Sequence, residues 1–162
     1  MRRLTVLTAL VLCSAAWTTA VATSPVPRIE TQRIVAELGR TYVPATIPAG
    51  YIYIRWSVNP GSADVFGDAL EIDFGKHGRL ITWTVENWHD PQAVSYDDCA
   101  RHNRTGDKVI PVAGRKAYYI GGAVGQSATV CLPGYQAIVV WNRYSISATA
   151  LAKLAATPRR IG

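Results

Sequence analysis

The 162-residue sequence has only three cysteines, three histidines and one methionine, and none of the spacings that turn such residues into a reactive centre. No C-x-x-C pair is present, which argues against a cysteine-bound zinc or redox site. No H-E-x-x-H occurs, and no histidine has a recognisable serine partner. "GAVGQS" at 122–127 is not a G-x-S-x-G nucleophile elbow, and "GGAVG" at 121–125 lacks the phosphate-loop lysine and reads as a connection. Basic runs and RNA-binding signatures are missing, so nucleic acid is not an expected partner. Internal repeats and low-complexity segments are missing too. No catalytic motif and no cofactor motif is found.

One apolar run exists, and it is at the start. Arg2 and Arg3 precede "LTVLTALVL", and "AVA" at 20–22 places small residues at the −3 and −1 positions of a cleavage site. This is the pattern of a secretory signal peptide over residues 1–22, with Thr23 the expected new N-terminus. "LVLC" at 10–13 has Leu12 where a lipoprotein box needs a small residue, so lipidation of Cys13 is not expected. Residues 4–22 are just long enough to span a bilayer, so membrane attachment is expected only if the segment is retained. The expected location is secreted or extracytoplasmic.

Removing Arg2 and Arg3 from the 17 basic residues leaves 15 against 11 acids, a net charge of +4. Such a charge permits weak attraction to anionic wall polymers or lipid headgroups but selects neither. Two cysteines remain, Cys99 and Cys131, and an even pair in an oxidising compartment reads as a disulfide. The remaining chain of about 140 residues is the size of one domain.

Beyond the proline-rich leader, Thr31, Ile34, Val35 and Leu38 recur at helical spacing and Gly39 stands as a stop. The leader and this amphipathic helix occupy 23–41, ahead of a domain over 42–162. "YVPATIPAG" carries prolines at 44 and 48 and reads as a connector. In "YIYIRWSV", Ile52, Ile54, Trp56 and Val58 alternate with Tyr51, Tyr53, Arg55 and Ser57, so the first set is expected to face the core. "ALEIDF" and "RLITWTVENW" flank "GKHG", a hairpin with His77 near its tip. "KVIPV" and "RKAYYIGG" flank Ala113-Gly114, and "SATVCL" and "QAIVVW" flank "PGY", two further hairpins. "RYSI" reads as short and extended. "SATALAKLAAT" then reads as a closing helix, with Ser147 as N-cap and Pro158 as terminator. The expected fold class is α+β: a single antiparallel sheet with an N-terminal and a C-terminal helix packed on it.

The stretch "ENWHDPQAVSYDDCARHNRT" (86–105) supports two readings. In the preferred one it is a polar excursion stapled by Cys99, with Ser95 capping a short helix that runs to about His102. In the other, Asp98 and His102, four apart on one helical face, join His89 as metal ligands. Glu71 and Asp73 share a strand face about 7 Å apart by strand rise, a glycosidase-like spacing that plain alternation around Ile72 explains as well. Tyr51, Tyr53 and Arg55 form an aromatic and basic strip if no helix covers them, and are the candidate contact residues for a sugar chain or peptide. Of the neighbours Tyr118 and Tyr119, one must point away from the other.

The order "YVPATIPAGY", then "VIPVAGRKAYYI", then "AIVVWNRYSISATALAKLAAT" resembles extracytoplasmic domains of unknown function of Gram-positive bacteria, some of them attached to anti-sigma factors. The resemblance covers about 42–157, and its motifs are structural. The chain departs from that pattern in having no cytoplasmic anti-sigma segment and in its cysteine pair. The resemblance implies a non-enzymatic α+β domain of the cell envelope. The reading that follows is an exported binding or sensor-like module whose partner is an unidentified envelope component or protein. The alternatives are a secreted metal-dependent hydrolase using His89, Asp98 and His102, or a small inhibitory or structural protein that inserts loop 86–105 into a partner.

Overall fold

The computed structural model describes residues 24–59, 68–87, 99, 100, 103, 106–133 and 136–162. Among them run α1 (Arg28–Leu38), β1 (Thr41–Pro44), β2 (Ile52–Asn59), β3 (Ala69–Lys76), β4 (Arg79–Asn87), β5 (Lys108–Val112), β6 (Arg115–Gly122), β7 (Gly125–Leu132), β8 (Gln136–Asn142), α2 (Ala148–Ala156) and β9 (Pro158–Ile161). The expected α+β class with a single sheet is therefore corrected. The described chain is mostly β, with two antiparallel sheets and two short helices. Seven strands pair in the order β2-β3-β4-β8-β7-β6-β5, and β1 pairs with β9 as a separate ribbon.

The ribbon is what the connector reading missed. Thr41 pairs with Ile161 and Pro44 with Pro158, so each proline stands at an end of its strand, where a missing N–H costs the ladder little. Pro158 does end the helix, and it also opens β9. Ala45 N–H continues the join by donating to Thr157 O at 3.2 Å.

Two of the expected turns form as short hairpin loops. His77 and Gly78 both have positive φ (47° and 75°), as do Ala113 and Gly114 (50° and 71°). This is the handedness that fits the twist of flanking antiparallel strands. α2 starts as expected, with Ser147 Oγ accepting from Ala150 N–H at 3.2 Å. "RYSI" does not form a strand. Asn142 Oδ1 accepts from Ser145 N–H and Ile146 N–H, and Tyr144 has φ 52°, so the chain turns there into α2. Side-chain amides compete with ladder hydrogen bonds in this way.

The core lies on one face of the large sheet. Leu70, Ile72 and Phe74 of β3, Ile81, Trp83 and Val85 of β4, Ile138 and Val140 of β8, and Ala128 and Val130 of β7 are all buried there. Leu151, Ala152 and Ala155 of α2 pack over the β5–β8 half. Val26, Ile34, Val43 and Tyr51 join the same cluster, so leader, α1 and ribbon belong to one hydrophobic body with the sheet. Glu30 of α1 accepts from Trp56 Nε1 at 2.8 Å and holds the helix beside β2.

The opposite, outer face carries the disulfide. Cys99 and Cys131 are bonded, with Cα atoms 5.9 Å apart. Ala137 and Tyr118 pack on the bond, and Asn103 Nδ2 donates to Cys99 O at 2.8 Å. Tyr118 thus faces the disulfide, while Tyr119 turns to the core side and donates its hydroxyl to Gln126 Oε1 at 3.0 Å. Of the stretch 86–105, residues 88–98, 101, 102, 104 and 105 lie outside the described residues. His89, Asp98 and His102 are among them, as are Ser95 and its expected helix start.

Candidate functional site

Strand β2 breaks its own alternation. Tyr53 pairs with Phe74 and Arg55 with Asp73, which leaves Ile54 as one extra residue opposite a single step of β3. Such a bulge moves every side chain before it to the other face. Tyr51 is consequently buried, and Tyr53 meets Phe74 edge-on, ring centroids 6.4 Å apart. Ile52 and Ile54 point outward, 68% and 51% exposed, although alternation had assigned both to the core.

The three candidate contact residues are therefore not on one face. Tyr51 donates to or accepts from Ser145 Oγ at 2.5 Å. Tyr51 and Tyr53 line a cleft of about 460 Å³ with Pro25, Thr46 and Ile47. Burial, and then the charge of Glu30, raise the Tyr53 phenol above its ordinary pKa. Arg55 alone stays on the outer face at solvent. Its Nε donates to Asp73 Oδ2 at 2.9 Å, and that bond raises the guanidinium pKa further. Asp73 Oδ1 accepts from Thr82 Oγ1 at 2.9 Å, so both carboxylate oxygens are engaged. Glu71 lies half-buried on the same face. The Glu71/Asp73 pair is better described as part of a polar ladder than as two free acids.

The outward isoleucines open a groove. Ile52, Ile54, Gly75, Lys76, His77, Gly78, Arg79 and Leu80 line an open cleft of about 380 Å³. A second cleft of about 240 Å³ shares Gly78, Arg79 and Leu80 with it and adds Trp141 and Arg143. Together they run across the outer face at the end where the β3–β4 hairpin turns. Two glycines let its apolar side chains lie close to the sheet. A Cβ on Gly75 would lie 2.6 Å from Ile54 Cδ1, and one on Gly125 would lie 2.8 Å from Trp141 Cζ2. Each large side chain thus lies flat over a strand that has no side chain at that point. An isolated glycine in a strand pattern is the sequence signal for such close approach.

The groove is basic at its rim. Lys76, Arg79 and Arg143 line it, and among the described residues no carboxylate does. Lys76 Nζ donates to Ala49 O at 3.0 Å, which fixes the hairpin tip against the 48–51 turn. Tyr144, 53% exposed, follows Arg143 and donates its hydroxyl to Gly122 O, which brings it beside the β6–β7 turn and the exposed Val124.

The described residues hold no group of three His, Cys, Asp or Glu side chains that could bind a metal. None of their helices is long and apolar enough to cross a membrane. Comparison with protein-family models and with curated protein sequences finds no match for this chain.

Proposed function

We propose that this chain is an exported binding module of the cell envelope, acting by surface recognition without chemistry. The observation that carries the reading is the outer-face groove. It combines exposed Ile52 and Ile54, a Trp141 and Leu80 floor, and three cations with no carboxylate among the described lining residues. Contiguous exposed apolar side chains rimmed by polar groups mark interaction sites. The signal-like segment at 1–22 and the Cys99–Cys131 bond support an oxidising, extracytoplasmic setting. The likeness of residues 42–157 to extracytoplasmic domains supports the same setting.

Within this reading Arg55 borders the recognition face, and Tyr51 and Tyr53 support it from below by holding the bulge in register. The test is retention of the exported protein on isolated cell-envelope material. Replacing Ile52 and Ile54 by serine should lower retention at least severalfold. Equal retention of wild type and the double variant would remove the groove from the reading.

A further inference from the structure

We infer that the groove docks the protein on an anionic lipid bilayer surface. The inference rests on the reading above and names the partner. Its first support is placement. In this antiparallel sheet the start of β2, the β3–β4 turn, the end of β8 and the β6–β7 turn all lie at one end. Ile52, Lys76, His77, Arg79, Arg143, Tyr144 and Val124 therefore share that end of the sheet.

Its second support is chemistry. Interfacial binding needs apolar side chains that enter the headgroup boundary and cations that meet anionic headgroups. Ile52, Val124 and Tyr144 are 68%, 70% and 53% exposed, and tyrosine suits the boundary because its ring is apolar and its hydroxyl polar. Lys76, Arg79 and Arg143 supply the charge, and they outnumber Asp107, whose Oδ2 accepts from Gly121 N–H at 2.7 Å at the same end. A site for a free phosphate needs donors converging in an enclosed pocket, whereas these cations ring an open, apolar floor. A peptide added as a strand needs an unbroken edge, and the extra residue at Ile54 interrupts the β2 edge.

Each basic side chain at an anionic leaflet contributes about a fivefold factor in partitioning, so three contribute on the order of a hundredfold. Burying the outward isoleucines adds roughly tenfold each. Raising the salt concentration should remove the first contribution and spare the second.

The test is vesicle co-sedimentation of the exported protein, with an intact mass to establish its N-terminus. Phosphatidylglycerol-containing vesicles are compared with pure phosphatidylcholine. The expected result is binding that requires phosphatidylglycerol and falls about a hundredfold in Lys76→Gln/Arg79→Gln/Arg143→Gln. Arg115→Gln/Lys116→Gln, at the opposite end of the sheet, should bind like wild type. Arg79, Arg143, Arg115 and Lys116 are exposed, so their replacement should leave melting unchanged, whereas Lys76 is half-buried and bonded to Ala49 O. The Arg79→Gln/Arg143→Gln double variant, about twenty-five-fold weaker, and single variants, each about fivefold weaker, serve if the triple variant melts early. Equal binding to both vesicle types, or equal loss in the Arg115/Lys116 variant, would overturn the inference. Groove-dependent retention on delipidated wall material, with no vesicle binding, would also overturn it while leaving the binding-module reading in place. Triple and wild-type proteins that behave alike on both materials would overturn both.

Discussion

Asn142 holds the chain reversal that carries the groove's far wall. It is fully buried, its Nδ2 donates to Leu80 O (2.6 Å) and Ser145 Oγ (2.7 Å), and its Oδ1 accepts from two backbone N–H groups. Ser145 passes the network on to Tyr51, and Gln126 Nε2 closes it by donating to Ile146 O at 2.6 Å. Asn142→Ala leaves these buried groups without partners and should destabilise by roughly 2–4 kcal/mol in chemical denaturation. Arg143 and Tyr144 sit inside that reversal, so the same variant should loosen the groove. Tyr53 gives a second expectation at this scale. Its folded pKa is raised above 10.0, so an unfolded chain loses the phenolic proton first as pH rises. Stability should therefore be unaffected below about pH 10 and fall above it. Tyr53→Phe should reduce that alkaline slope, as read from melting curves across the range.

At the scale of elements, the bulge in β2 makes an expectation opposite to that of unbroken alternation. With Ile54 as the extra residue, Ile54→Ser should cost less than about 1 kcal/mol, because the side chain is already at solvent. Tyr53→Ala should cost about 1–3 kcal/mol, since the ring packs on Phe74 and the core. A strand without the bulge requires the reverse order, and denaturant midpoints distinguish the two. The disulfide closes a loop of sequence separation 32, so its reduction should lower stability by about 3–4 kcal/mol. These elements also show what could be read from residues alone. Both short hairpin turns, the Ser147 cap and the cysteine pair were legible because each depends on neighbours in sequence or on compartment. The bulge was not, because one inserted residue leaves no mark when no glycine or proline stands at it. The β1–β9 ribbon was not, because its pairing joins Thr41 to Ile161 across the whole domain while its prolines read locally as breaks. The groove was not legible, because its walls depend on the β2 bulge and on the Asn142-held turn, neither of which the alternation pattern marks.

For the whole molecule, the two faces of the large sheet divide the work. The inner face, with α2, α1 and the ribbon, holds the apolar core. The outer face carries the Arg55–Asp73–Thr82 ladder, the disulfide cluster and the groove. Free edges are guarded at both ends of the sheet, by the bulge in β2 and by Pro111 in β5. In the proposed reading, recognition uses the outer face, which the core leaves over, and the rim cations orient it. The measurement that tests this most directly is hydrogen-exchange footprinting of the protein with and without phosphatidylglycerol-containing membranes. Protection confined to residues 52–54, 75–80 and 141–144 is the expected result. Protection centred elsewhere, or none at saturating membrane, would contradict a binding role for the groove.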